Sequence, residues 1–338
     1  MTNGKFQANS PIFIVGCARS GTTLLRLLLN QHSRVAIPGE TWYFPDINEK
    51  YEEIIKIPEK LWRDAIADYL VSYATYPEFG VNRKQIRTQL ENLNRNDWSR
   101  IVAVVNITLA HKEGKPRWGD KTPGYCLHLP LIKKLYPDAY VINIIRDGRD
   151  VALSLMEYKN IGPQSILEAA YYWSERVKRA RIDGRNLFSD SYMDISYERL
   201  VDEPENTLKC ICKLIKEDYE PEMFDYYKLP LQNILPEHAW HNQTKGPIKK
   251  EHTRRWQNNM TKNDLCVFEL VSGRLLRTLG YINSGCFSFA AWKEWIKYCN
   301  HKLCFKSMLR TKIVAYKAFK AMEILNAYYR IKKFFKAH

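Results

Sequence analysis

The sequence predicts an α/β domain in which helices cover a central parallel sheet, and three observations carry that prediction. Short apolar runs rich in β-branched residues, Ile12-Phe13-Ile14-Val15 and Tyr140-Val141-Ile142-Asn143-Ile144-Ile145, each lead into a polar, glycine-containing turn. Each turn opens a segment with helical spacing, and long helical stretches separate the short runs, as the crossovers of a parallel sheet require. At 338 residues the chain also has the length for one large α/β domain with additions.

In chain order, Pro11 to Gly16 is the first strand, and Leu24 to Leu29 is a leucine-rich helix behind a Gly/Ser/Thr turn. A second strand is expected at Val35 to Ile37. Lys60 to Tyr76 and Arg83 to Lys112 carry apolar residues three and four apart and read as two helices. They belong to a helical insertion, residues 45–115, that caps the sheet. The second apolar run ends in Arg146-Asp147-Gly148-Arg149-Asp150, and a helix follows from Val151 to Tyr158. Ser165 to Arg185 is a further helix and Ser191 to Ser196 a further strand, with Tyr197 opening the next helix. Pro230 to Lys250 is polar and punctuated by proline, so a long loop is expected there. Thr261 to Leu279 returns to helix and stops at Gly280 in the manner of a C-cap.

Residues 1–285 therefore read as the main domain and residues 286–338 as a basic, amphipathic helical tail. Trp292, Trp295, Ile296, Cys299 and Leu303 recur at helical spacing among lysines, and Leu309 to Phe335 continues as basic, aromatic-rich helix. Such a tail suits an anionic membrane surface or an acidic partner, and equally suits packing on its own domain. It also holds most of the charge. The chain carries a formal +15, and residues 290–338 supply twelve Lys and Arg against two Glu. With about +5 left elsewhere and no aromatic-basic module, no nucleic-acid partner is expected.

Met1 to Ser10 has no apolar leader core, and no run of eighteen apolar residues follows, so a cytoplasmic protein is expected, with the tail as its route to a membrane. The eight cysteines include no C-x-x-C pair and no zinc-type spacing. Reduced, structural thiols and no metal site are the expectation.

The residues that carry chemistry begin at Gly16-Cys17-Ala18-Arg19-Ser20-Gly21-Thr22-Thr23. This is the spacing of a P-loop, with Thr22 where a nucleoside triphosphatase has its lysine. A loop of this kind still wraps an anion in backbone N–H groups at a helix N-terminus, and Arg19 supplies a fixed cation. Metal-bridged triphosphate chemistry, however, loses its main parts.

Ala18-Arg19-Ser20-Gly21-Thr22-Thr23 resembles the 5′-phosphosulfate loop of the sulfotransferases that use 3′-phosphoadenosine-5′-phosphosulfate (PAPS), closest in motif style to the tyrosylprotein, carbohydrate-type and bacterial members. The resemblance implies that Arg19 and the N–H groups around Ser20 and Gly21 bind the phosphosulfate, with Thr22 and Thr23 adding hydroxyls. It implies a 3′-phosphate site at Arg146 and Ser154, eight residues apart; pairing of Arg146 with Asp147 or Asp150 is the structural alternative. Tyr197-Glu198-Arg199-Leu200, with Pro204 beyond, is similar to a block whose tyrosine reaches the nucleotide, though core packing would also explain Tyr197. Thr244-Lys245-Gly246-Pro247 stands where a basic loop closes over the donor, and Lys245 is the favoured contact among Lys245, Lys249, Lys250 and Arg254. Arg149 reads as a structural or rim cation.

For the transfer step, Gly39-Glu40-Thr41 resembles the Gly-Glu context of the family's general base, which implies that role for Glu40. Trp118-Gly119-Asp120-Lys121-Thr122-Pro123 resembles the block whose lysine approaches the bridging oxygen. Lys121, with Arg19, would then stabilise the leaving group. An exposed loop acid and a surface lysine in a Gly/Pro turn are the respective alternatives, and Asp120 either orients Lys121 or serves local turn chemistry. The expected function is metal-independent, in-line sulfuryl transfer from PAPS to an acceptor hydroxyl on a carbohydrate, lipid, peptide or small molecule, in a pocket built between Tyr43 and Lys112. A P-loop kinase or NTPase and a basic binding protein without catalysis are the alternatives.

Overall fold

The computed structural model describes residues 10–296, except 74, 158–161, 229–245, 250–252, 283 and 287. Five strands, β1 (Ile12–Gly16), β2 (Val35–Ala36), β3 (Arg117–Lys121), β4 (Tyr140–Ile145) and β5 (Tyr192–Ser196), form one sheet in the order β2-β3-β1-β4-β5. Every pairing is parallel, with Ile12 opposite Gly119 on one side of β1 and Tyr140 on the other. The predicted parallel sheet with helices on its faces is what forms, and residues 289–296 begin a helix at the C-terminal side.

The alternation of β1 assigns its two faces. Phe13 and Val15 enter a core built largely from the insertion, whereas Ile12 and Ile14 enter a second core against α1 (Thr22–Asn30) and α12 (Pro204–Ile215). The insertion contributes α2 (Phe44–Glu49), α3 (Tyr51–Ile54), α4 (Trp62–Val71), α5 (Arg83–Glu91), α6 (Trp98–Val102) and α7 (Val104–Lys112). After β3 come α8 (Leu129–Leu135), α9 (Gly148–Met156), α10 (Ile166–Phe188), α11 (Tyr197–Asp202), α13 (Trp256–Asn259) and α14 (Lys262–Thr278). A third core lies between α9, α10 and α14, centred on Trp173 and Phe268.

Three expectations are corrected. The continuous helix expected over Arg83 to Lys112 breaks into α5, α6 and α7. Its Asn/Asp-rich stretch supplies side chains that compete for the backbone: the Asn94 N–H donates to the Asp97 carboxylate at 2.8 Å. The helix expected over Lys60 to Tyr76 is shorter, ending at Val71. The cysteines are not all reduced, because Cys266 of α14 and Cys286 form a disulfide. Gly280 causes that return: in the left-handed conformation (φ 83°), it donates to Arg277 O while Tyr281 donates to Leu276 O. This Schellman cap turns the chain back along α14 and brings the two Cα atoms within 5.2 Å.

Candidate active site

The loop between β1 and α1 lies at the carboxyl edge of the sheet, between β3 and β4, the neighbours of β1. Arg19 (φ 71°) and Gly21 (φ 93°) are both left-handed, an arrangement that curls a backbone into an anion-binding concavity. Gly21 is needed twice over, since a Cβ there would lie 2.3 Å from the Tyr197 ring. Gly21 is also the N-cap of α1, so no side chain caps that helix, and its first turn contains no acid. The Ser20 hydroxyl is buried with no hydrogen-bond partner among the described residues. An uncapped helix start, an orphaned hydroxyl and an adjacent guanidinium suit a phosphosulfate.

At the β4 side, the structure gathers Arg19, Arg146, Ser154 and Tyr197. Arg19 Nε donates to Ser154 Oγ at 3.0 Å, and Arg146 Nη1 donates to Arg19 O at 3.0 Å. The Arg146 guanidinium also lies 4.8 Å from the centre of the Tyr197 ring, so this tyrosine supports loop and arginine together. Asp150 stands 3.9 Å from Arg146 and accepts from the N–H groups of Arg254 and Trp256 at 2.7 and 2.9 Å. Burial raises the Asp150 pKa, against the lowering effect of Arg146. Arg149 is no rim cation. It is enclosed by Asp147 (2.7 Å), Glu269 (3.0 Å), Ile282 O (2.9 Å) and the Trp256 ring (3.5 Å), and holds α9, α14 and the segment beyond it together. Lys245 and Lys250 lie outside the described residues.

At the β3 side, Lys121 is not a surface lysine: its side chain is 2% exposed. Its Nζ lies 2.7 Å from Glu40 Oε1 and 3.5 Å from Thr23 Oγ1 in the first turn of α1. The acid expected near the phosphosulfate loop and the cation expected beside it are therefore one ion pair, extended to the loop itself. Glu40 Oε2 accepts from the indole N–H of Trp42 at 2.8 Å.

A buried network sets that geometry. Thr41 Oγ1 donates to Asp120 at 2.8 Å and meets Tyr125 OH at 2.8 Å, while the Thr41 N–H donates to Thr122 Oγ1 at 3.0 Å. Asn106 of α7 donates to Asp120 at 3.1 Å and to Gly119 O at 2.8 Å. Asp120 thus spends one oxygen, Oδ2, on both the Glu40 turn and the insertion, while Oδ1 is buried with no hydrogen-bond partner among the described residues, and burial pushes its pKa up to about 6 despite those hydrogen bonds. On α10 the Arg176 guanidinium lies 3.4 Å from the centre of the Tyr172 ring, and burial raises the pKa of that tyrosine. Tyr172, Arg176, Asn106, Tyr125 and Trp42 are residues that motif reading missed. They sit in helices or turns with no spacing signature, and only the return of β3 and α10 to one edge assembles them.

Residues 11–221 match the model of the sulfotransferase family. The chain belongs to the sulfotransferase family, and is an enzyme of it. Among relatives, a putative protein-tyrosine sulfotransferase of Caenorhabditis briggsae is 25% identical over 282 residues, covering 81% of this chain and 89% of that protein. Protein-tyrosine sulfotransferase A of Caenorhabditis elegans is 22% identical, over 82% of this chain and 68% of its own length. The sulfotransferase domain of the Synechococcus PCC 7002 olefin synthase shares the fold, with TM-score 0.55 at 19% identity over 81% of this chain and 96% of that domain. The sulfotransferase domain from the curacin pathway superposes similarly, with TM-score 0.56 at 19% identity over 81% and 98% of the two chains. Among the described residues of this sulfotransferase, no helix is long and apolar enough to cross a membrane.

Proposed function

We propose that this sulfotransferase moves a sulfuryl group from PAPS to an acceptor hydroxyl, with Glu40 as general base and Lys121 and Arg19 at the leaving group. The observation that carries the reading is Lys121 Nζ, which bridges Glu40 and the first turn of α1. As the acceptor oxygen bonds to sulfur, its proton passes to the Glu40 carboxylate. The bond from sulfur to the bridging oxygen breaks, leaving its electron pair on the 5′-phosphate, where Lys121 and Arg19 offset the charge. A carboxylate oxygen has lone pairs beyond those taken by Lys121 and Trp42, so the contacts do not block proton uptake.

Arg146 and Ser154 take the 3′-phosphate; Ser154 Oγ also accepts from Arg19, and the Tyr197 ring lies against Arg146. The 3.0 Å contact from Arg146 to Arg19 O links the two ends of the nucleotide site. Lys245 is the donor contact carried over from the motif reading. The names of the relatives support a tyrosine phenol as the first acceptor to assay.

Calorimetric titration with adenosine 3′,5′-bisphosphate in EDTA, with 5′-AMP as control, tests the donor site. Tight binding that requires the 3′-phosphate is expected. Equal affinity for the two nucleotides would remove the 3′-site, and binding of Mg·ATP alone would replace the sulfuryl reading with phosphoryl transfer.

A further inference from the structure

Beside Glu40 the chain does something costly. Tyr43 N–H donates to Thr41 O at 2.7 Å, closing a γ-turn around Trp42, whose φ of 58° lies in the left-handed region that bulky residues avoid. The turn delivers the indole to a defined place. Its Nε1 donates to Glu40 Oε2 at 2.8 Å, and its six-membered ring lies over Gly124, where a Cβ would approach within 2.5 Å. Yet the residue remains 43% exposed, one of six exposed large apolar side chains among the described residues. An aromatic residue held in a strained turn, bonded to the base and open to solvent, is placed to meet what the base acts on.

We infer that Trp42 is both a positioning residue for Glu40 and the specificity wall for the acceptor, selecting a flat phenolic ring over an aliphatic alcohol by stacking. The inference rests on the proposed role of Glu40 and narrows the acceptor class. The indole N–H fixes the plane of the carboxylate from one side while Lys121 fixes it from the other. A phenol lying against the exposed indole then presents its hydroxyl at the edge of the ring, towards the carboxylate that the same indole holds. An aliphatic alcohol has no face to offer that wall. Gly124 gives the indole its floor, and its backbone is not in the left-handed region, so alanine there disturbs only the ring above it.

The two roles separate in variants. Trp42→Phe keeps an aromatic face and loses the N–H donor, so kcat with 4-methylphenol, which keeps its proton at neutral pH and needs the base, should fall about fivefold at little change in KM. Trp42→Ala loses both, and KM for 4-methylphenol should rise about tenfold, while KM for cyclohexanol stays put. Gly124→Ala should reproduce part of the Trp42→Ala effect and be silent when added to it, since the ring it displaces is gone. Adenosine 3′,5′-bisphosphate affinity, measured on each variant, should be unchanged. An equal rise in KM for both acceptors, or an unchanged KM for the phenol in Trp42→Ala, overturns the wall. Wild-type enzyme that binds the bisphosphate but sulfates only the aliphatic alcohol also overturns it, with the donor site intact. Absence of bisphosphate binding strikes the donor reading instead, and the inference falls with it.

Discussion

The loop proposed to hold the donor, residues 16–23, and the turn proposed to face the acceptor, residues 39–42, meet at a single atom, Lys121 Nζ, yet they are built on opposite principles. The loop is self-contained. Its left-handed residues, uncapped helix start and cation lie within eight consecutive positions, and Tyr197, Arg146 and Ser154 only brace it from outside. The turn has almost nothing of its own: Thr41 is held by Asp120, Thr122 and Tyr125, about eighty residues away, and Trp42 by its contact with Gly124. Anion binding uses backbone groups that every chain possesses, so a local conformation suffices. Proton transfer needs one carboxylate at one angle, which only a packed environment fixes.

The sharpest way to break the comparison is at the acid itself. Glu40→Gln should lower kcat on the order of 1000-fold while leaving the affinity for adenosine 3′,5′-bisphosphate unchanged, the range expected for removal of a general base. Near-full activity would return Glu40 to an ordinary loop acid. Next is Gly21→Ala, which combines a left-handed backbone with a collision against Tyr197. Its expected effect is the reverse, a roughly 10- to 100-fold loss of bisphosphate affinity by calorimetry. Retained affinity would show that the loop does not rely on its own backbone.

Arg146→Ala divides the donor site further. It should weaken adenosine 3′,5′-bisphosphate about tenfold and 5′-AMP hardly at all, a difference suited to one charged contact. Equal weakening would make Arg146 a support for the Arg19 carbonyl alone. The smallest effect is on stability. Because the folded protein holds the Asp120 proton up to about pH 6, above the ordinary carboxylate value, its stabilising share is full at acid pH and is lost as pH rises through 6. Asp120→Asn keeps an acceptor for Thr41 and Asn106 and should flatten this slope, by about 3 kcal/mol at most between pH 4 and 7. Urea midpoints of both proteins across that range measure it, and parallel curves would mean that Asp120 is ionised throughout.

Much of the fold was legible because its signals are local. Ile12 to Val15 and Tyr140 to Ile145 are buried along their whole length and read as such in the chain. The strand β3 was not legible, although it lies between β2 and β1. Only Trp118 in Arg117-Trp118-Gly119-Asp120-Lys121 is a large apolar residue, and the buried positions are polar ones satisfied from afar. Arg117 donates to Ser10 O, to Ile215 O and to Glu217, and is buried because those partners replace water. Apolar periodicity has no means of marking such a strand.

What the sequence by itself determined is therefore the half proposed to bind the donor: a Gly/Ser/Thr loop after an apolar strand, with Arg19 in it, and an arginine followed by a serine eight residues on, at the end of a later apolar run. Contiguous residues dictate those features through allowed backbone angles and the helix that follows. The tertiary structure decided the rest. It placed Lys121 inside rather than on the surface, made one pair of it and Glu40, turned Asp120 towards Thr41 and Asn106, set Trp42 over Gly124 and joined Cys266 to Cys286. These are contacts between residues fourteen to eighty-two positions apart, and their energies exist only after the sheet has brought distant segments into contact.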